Sequence, residues 1–201
     1  EFQQDALSAL SIADTKNTGD IVGTYIQHAM GKLGVTFATS IEHSILLAEE
    51  YRQRGVPAAH VDGDTPPDIL LATIKAYARR ELLQLTCADL LVFGFDLKAF
   101  SGIDVTIEAI SDGAPTRSIT KQKQKWGRGM RMKPYPVLIF DHAGNAMNAN
   151  GTANHGLPDD DYDWKLAGRT KAQRQAEAAS PIKRCNTCYS THRPQPTCPY
   201  C

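Results

Sequence analysis

Short β-prone runs alternate with helical segments through most of the chain, and this alternation strongly constrains the fold. The β-prone runs cover residues 34–39, 58–61, 83–87, 105–110 and 136–140. Strands that are separated by helices pair in parallel rather than as hairpins, and the helices cover the sheet. The sequence therefore predicts an α/β fold with a parallel sheet. The continuous apolar run at 136–140 predicts a strand buried on both faces.

Apolar residues recur at helical spacing in residues 20–30, 41–55 and 67–80. Thr39 and Glu42 form a capping-box pattern that predicts the start of the second of these helices. Ligands of parallel sheets collect at the carboxyl ends of the strands, so polar residues that follow the apolar runs are expected to rim one crevice. These residues are Thr39, Asp62, Asp64, Asp89, Asp96 and Asp141.

Residues 124–131 read Gln-Lys-Trp-Gly-Arg-Gly-Met-Arg. If a helix runs through them from about Ser118, Arg128 and Arg131 lie on one helical face and can converge on a phosphate. A solvated basic face is the alternative, because three lysines precede the arginines: Lys121, Lys123 and Lys125. Glycine inside a helix costs about 1 kcal/mol, so Gly127 and Gly129 indicate a close approach to a ligand or to a facing domain, or else an early helix end.

Five segments carry a resemblance to a known family. They are Val-Thr-Phe-Ala-Thr at 35–39, Asp-Gly-Asp-Thr at 62–65, Gly-Phe-Asp at 94–96, the octamer at 124–131, and Ile-Phe-Asp-His-Ala-Gly-Asn at 139–145. In this order, residues 19–169 resemble the second RecA-like domain of superfamily 2 nucleic-acid helicases, in particular phage and prophage members. The chain departs from the family pattern at Ala88, Val92 and Phe93, where relatives carry polar or charged residues.

The resemblance implies roles for individual residues. Arg128 and Arg131 would be arginine fingers that contact the γ-phosphate of ATP. The residues implied to line the nucleotide cleft are Gln124, Gly94, Asp96 and Gly127. The residues implied to contact the nucleic-acid backbone are Thr39, Ser40, His43, Thr116, Arg117 and Lys121. For Thr39, plain helix capping remains an equal alternative.

The chain lacks a phosphate loop, because Leu33 follows Gly31-Lys32 where a hydroxyl residue is required. ATP and Mg²⁺ are therefore expected to be shared with an N-terminal RecA-like domain outside this sequence. The expected function is that of a C-terminal helicase or translocase domain acting on nucleic acid, with DNA preferred over RNA. The alternatives are a DNA- or protein-binding module without motor activity, and the motor part of a restriction or recombination nuclease.

Four cysteines occur in the last 17 residues as Cys185-x2-Cys188-x9-Cys198-x2-Cys201. Two Cys-x-x-Cys pairs favour a structural tetrahedral Zn²⁺ site in a small ribbon-like tail, with disulfides as the alternative. Cys87, in a predicted strand, is expected to be a small buried apolar residue.

The expected organisation is a lead-in at 1–33, a RecA-like domain at 34–146, a linker at 147–183 and a zinc module at 184–201. The 22 basic and 22 acidic residues balance, so any nucleic-acid site must be a local patch. No apolar run is long enough to span a membrane. The default expectation is a cytoplasmic protein, in the bacterial host if it is phage-encoded.

Overall fold

The computed structural model describes residues 15–88, 97–147, 154–160 and 181–201. The chain divides into two compact units, residues 1–143 and 144–201. Asp89, Gly94 and Asp96 lie outside the described residues. In the described part of the chain, no helix is both long enough and apolar enough to cross a bilayer.

The first unit is built on a five-stranded sheet in which every pair of neighbours is parallel. Its strands are β1 (Gly34–Phe37), β2 (Ala58–His60), β3 (Gln84–Cys87), β4 (Ala109–Asp112) and β5 (Leu138–Asp141). Their order across the sheet is β2-β3-β1-β4-β5, so β1 is central and β5 is an edge strand. The predicted parallel α/β fold is confirmed.

Five helices accompany the strands in the described residues: α1 (Thr15–Ala29), α2 (Ile41–Gln53), α3 (Pro67–Ala78), α4 (Leu97–Ser101) and α5 (Ile119–Gly127). Two apolar cores result. One joins Ile74 and Tyr77 of α3 to strand residues such as Phe37, and the other joins Tyr25 of α1 to Tyr51 of α2. Residues 1–33 are assigned to a lead-in by the sequence, but α1 within that range is part of this second core.

Two strand predictions differ from the structure. β4 begins at Ala109 rather than at residue 105 and continues through Ser111 and Asp112, which are polar but buried. Because the predicted run follows apolar character, it stops before this buried polar end. β5 is half-buried along its length rather than covered on both faces, and it lies at the edge of the sheet. The prediction of a doubly buried strand at 136–140 was therefore wrong.

The cap of α2 also differs by one residue from the predicted capping box. Ser40 has extended backbone angles (φ −150°, ψ 171°), and its hydroxyl accepts the His43 N–H at 3.2 Å. The Thr39 hydroxyl instead lies 3.0 Å from Nδ1 of His43. Thr39 is therefore not the capping residue, which leaves its side chain engaged with a histidine ring.

The second unit contains a short antiparallel pair, β6 (Lys183–Arg184) and β7 (Thr191–His192). Cys185 and Cys188 lie in the turn that joins the two strands, where the Cys185 N–H donates to the Ser190 carbonyl at 3.0 Å. This hairpin positions the first Cys-x-x-Cys pair.

Candidate functional sites

The four tail cysteines form one cluster. Their sulfur atoms all lie within 4.8 Å of one another, with Sγ–Sγ distances of 3.6 Å for Cys185–Cys201 and for Cys188–Cys198. The backbone N–H of Thr187 donates to Sγ of Cys185 at 3.3 Å, and that of Tyr200 donates to Sγ of Cys198 at 3.4 Å. Such N–H···S contacts stabilise thiolates, so this donor set can hold a tetrahedral metal ion.

Two thiols of the cluster have pKa values that are shifted in opposite directions. Backbone N–H groups of Cys188 and Thr187 lower the pKa of the Cys185 thiol to about 6. The hydrogen bond shared with Cys185 raises the pKa of the Cys201 thiol to about 12. Because a metal ion competes with protons for sulfur, a bound cation would displace the proton that these two thiols share.

In the first unit, a buried ion pair fixes α5 to the carboxyl end of β4. Nζ of Lys125 lies 2.7 Å from Oδ1 of Asp112, and both side chains have no exposed surface. Gln122 donates to Oδ2 of Asp112 at 2.7 Å, and Lys125 also donates to the Ala114 carbonyl at 2.6 Å. A buried ion pair tolerates the loss of one partner poorly, so this network holds α5 in one position.

The buried ion pair between Lys125 and Asp112 shows that Lys125 is not part of a solvated basic surface. Lys125 points inward because it lies three residues after Gln122 and next to Trp126, and all three side chains are buried. Lys121 and Lys123, on the same helix, are half-buried. Asp112 was not singled out by the sequence, because the predicted strand ended two residues before it.

The helix ends before the two arginines. α5 stops at Gly127, Arg128 is its C-cap, and Arg131 lies beyond it, so the arginines do not share a helical face. Gly129 is required by the core: a methyl group there would lie 2.5 Å from Cγ2 of Val137 and 3.0 Å from Cδ1 of Ile110. Close packing, rather than a bound ligand, therefore accounts for Gly129.

The segment after α5 lies at the amino end of the sheet. Lys133 donates to the Ile107 carbonyl at 2.9 Å and also to the Gly129 carbonyl. Arg131 forms a 3.0 Å ion pair with Asp104, and both side chains are exposed. Ile107 and Asp104 precede β4. Arg131 is therefore on the edge opposite to the carboxyl ends of the strands.

The carboxyl edge carries the other group of predicted residues. Phe37 at the end of β1 is paired in register with Asp112 at the end of β4, so the loops that leave these strands are neighbours. The first loop contains Thr39 and Ser40. The second loop contains the half-buried Thr116 and the exposed Arg117, and it leads to Lys121.

His43 is fully buried, and desolvation lowers its pKa to about 4. A neutral ring without exposed surface cannot offer a charge to a phosphate, so a direct contact by His43 is contradicted. Its Nδ1 instead lies 3.0 Å from the Thr39 hydroxyl.

Two residues predicted to line the nucleotide cleft, Gln124 and Gly127, are both exposed on α5.

A second buried network lies near the carboxyl ends of β2 and β3. Nδ1 of His60 lies 2.6 Å from the Ser44 hydroxyl, and Nε2 lies 3.0 Å from Asp62. Hydrogen bonds from His60 and Thr65 hold the pKa of Asp62 below its usual value. Because Ser44 is completely buried, this series of hydrogen bonds is not arranged for nucleophilic catalysis. It ties α2 to the sheet.

Solved structures with the same architecture are helicase domains. The C-terminal domain of the DEAD-box protein Dbp5 has a TM-score of 0.53 at 14% identity, covering 67% of this chain and 72% of that domain. The Escherichia coli DEAD-box protein SrmB, solved with RraA, has a TM-score of 0.52 at 18% identity, covering 63% of this chain and 71% of that one. The chain has the fold of a superfamily 2 helicase C-terminal domain.

A third structure with this helicase fold is the DUF1998 helicase MrfA bound to DNA. Its TM-score is 0.51 at 13% identity, and the match covers 62% of this chain and 18% of MrfA. A 51.5 kDa protein of a Lactococcus phage (isolate 7-9) is 31% identical over 172 residues. That match spans 85% of this chain but only 35% of the phage protein. No protein-family profile matches the chain.

Proposed function

We propose that this chain is the C-terminal motor domain of an ATP-dependent nucleic-acid helicase or translocase. The main supporting observation is that two polar surfaces lie at opposite edges of the sheet, at the two ends of the connection from β4 through α5 to β5. The amino edge carries Arg131, and the carboxyl edge carries Thr39, Ser40 and Arg117. This placement would allow nucleotide and nucleic acid to be bound at the same time.

The amino edge is the proposed nucleotide side. Arg128 and Arg131 would contact the γ-phosphate, with Gln124 and Gly127 lining the cleft. Gly94 and Asp96 are expected to contribute to the nucleotide site from the segment between β3 and α4, which lies outside the described residues. Support comes from the Arg131–Asp104 ion pair, whose side chains are 39% and 59% exposed. An ion pair this exposed contributes little, so phosphate can replace Asp104 as the partner of Arg131 at small cost. Bound Mg²⁺–ATP would supply the phosphoryl group that is transferred to water.

The carboxyl edge is the proposed nucleic-acid side. Thr39 and Ser40 offer hydroxyls next to the first turn of α2, where backbone N–H groups favour a phosphate. Thr116, Arg117 and Lys121 would extend this contact from the neighbouring loop. His43 would act indirectly, by orienting Thr39. DNA is the preferred substrate, in line with the DNA-bound MrfA structure.

We expect the 201-residue chain alone to show no ATP turnover, because one RecA-like domain cannot both cradle the phosphates and hold Mg²⁺. A protein that joins it to an N-terminal RecA-like domain should hydrolyse ATP, and faster with DNA present. Steady-state phosphate release, measured with and without DNA, checks both expectations. Turnover by the isolated chain, or a two-domain protein indifferent to nucleic acid, contradicts the proposal.

The cysteine cluster is proposed to hold one structural Zn²⁺ through Cys185, Cys188, Cys198 and Cys201. Four sulfur ligands leave no open position for a substrate, so the ion would have a folding role.

The phage relative favours a phage-encoded protein that acts in the bacterial cytoplasm.

Purified protein is expected to contain about one Zn²⁺ per chain, and chelation should unfold the tail beyond Lys183 while the sheet stays folded, because metal binding supplies the folding energy of such modules. Elemental analysis and amide NMR spectra measure the two effects. Cys188→Ser should reduce the zinc content, whereas Cys87→Ala, in β3 of the other unit, should not. Zinc-free protein with oxidised tail cysteines would refute the assignment.

A further inference from the structure

The cysteine-rich tail is basic although the whole chain is neutral. Residues 181–201 include Lys183, Arg184 and Arg193 and no acidic residue. Arg193 is already paired with Asp159 and Asp160 at 3.0 Å each. Lys183 and Arg184 are exposed on β6, and neither forms an ion pair within the described residues. The free charge on this module is therefore positive and is concentrated on β6.

Two tyrosines project from the same module. Tyr189 directly follows Cys188, and Tyr200 directly precedes Cys201, so each is adjacent in sequence to a proposed metal ligand. Their exposed fractions are 69% and 67%, the largest among the tyrosines of the described residues. Large aromatic rings are normally used to bury apolar surface, and these two do not.

The backbone of Tyr189 is in the left-handed region, with φ of 59°. A side chain with a Cβ is disfavoured there, and glycine is the residue that fits without strain. Tyr189 therefore occupies a position that glycine would fill at lower cost, and its exposed ring gains no burial that could offset the strain. A strained residue with an exposed functional group indicates a role outside folding.

The ring of Tyr200 lies next to the hairpin. It packs edge-on against the His192 ring, with centroids 6.5 Å apart. His192 is itself buried, and its Nδ1 lies 2.7 Å from the Arg193 carbonyl. One aromatic ring thus lies next to the hairpin, and the other leaves the chain at a left-handed backbone position.

We propose that the zinc module binds single-stranded nucleic acid, with bases stacked on Tyr189 and Tyr200 and phosphates neutralised by Lys183 and Arg184. Exposed tyrosines and exposed basic residues in one small module supply the two kinds of contact, stacking and charge neutralisation, that the bases and phosphates of a single strand need. A duplex does not fit, because its bases are already stacked on each other. The inference rests on the zinc site but not on motor activity, and it adds a surface separate from the carboxyl edge of the sheet.

The test uses the zinc-loaded 201-residue chain and a fluorescent oligothymidylate of about 12 nucleotides, followed by anisotropy. Tyr200→Ala is expected to weaken binding about tenfold, which is the usual loss for one stacked base. Tyr189→Gly should weaken binding similarly while leaving zinc affinity unchanged or higher, because glycine relieves the strained backbone. A purely structural tyrosine would change zinc affinity and leave oligonucleotide affinity alone.

Thr197→Ala, at an exposed non-aromatic position in the same module, is the matched control and should bind like the wild type. The salt dependence separates stacking from phosphate contact. Tyrosine variants should keep the salt slope, because stacking releases no counterions, whereas Lys183→Ala should reduce it and Arg117→Ala, in the other unit, should not. Wild-type affinity in both tyrosine variants would overturn the proposal. These rings would then be expected to contact a protein instead. That result would not affect the motor assignment, which is tested by ATP turnover.

Discussion

Replacing Arg131 or Arg128 by alanine, in a protein that joins this chain to an N-terminal RecA-like domain, is expected to lower kcat for ATP hydrolysis by about 10³-fold or more. An arginine finger stabilises charge that is present mainly in the transition state, so its loss appears in kcat rather than in substrate binding. DNA affinity should change little, because Arg131 lies at the edge of the sheet opposite to Thr39 and Ser40.

Two further variants sharpen this measurement. Arg131→Lys should not restore kcat, because an ammonium group cannot form the bidentate contact of a guanidinium. Asp104→Ala removes the partner of Arg131 but keeps the arginine, so kcat should be unchanged or higher. Steady-state kcat and DNA affinity are measured side by side for all variants. A near-normal kcat in Arg131→Ala with DNA binding lost would mean that this segment is a basic surface that binds DNA.

Lys125→Met is expected to lower the free energy of unfolding by about 3–5 kcal/mol, the usual cost of removing one member of a buried ion pair. The reason is that the Asp112 carboxylate stays buried while its ammonium partner, 2.7 Å away, is lost. Urea denaturation of the 201-residue chain, followed by the fluorescence of the buried Trp126, measures the change.

The matched control for this prediction is Arg79→Met, which breaks the exposed Arg79–Glu81 pair and should cost no more than about 1 kcal/mol. Combining Lys125→Met with Asp112→Asn removes both buried charges, and it should recover part of the lost stability. If Lys125→Met lowers the free energy of unfolding no more than Arg79→Met does, the ion pair between Lys125 and Asp112 does not hold α5 in place. The placement of the arginines would then need another explanation.

The sequence alone determined the fold class and the cysteine site. Strands separated by helices have few ways to pair other than in parallel, and this local pattern survives in the structure. The spacing of Cys185, Cys188, Cys198 and Cys201 likewise predicted a cluster, because two short Cys-x-x-Cys turns bring their sulfurs together wherever the connecting chain permits it.

Tertiary structure decided where the functional side chains lie. Lys125 and His43 look like surface or ligand residues in the sequence, but the partners that bury them, Asp112 and the sheet, are distant in the chain. The two arginines were expected on one helical face, but α5 ends at Gly127, and the segment after it packs Gly129 closely against Val137 and Ile110.

The separation of the two candidate surfaces has the same origin. A crossover helix runs antiparallel to its strands, so α5 begins near the carboxyl end of β4 and delivers Arg131 to the amino edge. Sequence patterns report which residues face a core, because that depends on local periodicity. They do not report which edge of a sheet a loop reaches, because that depends on contacts between segments far apart in the chain.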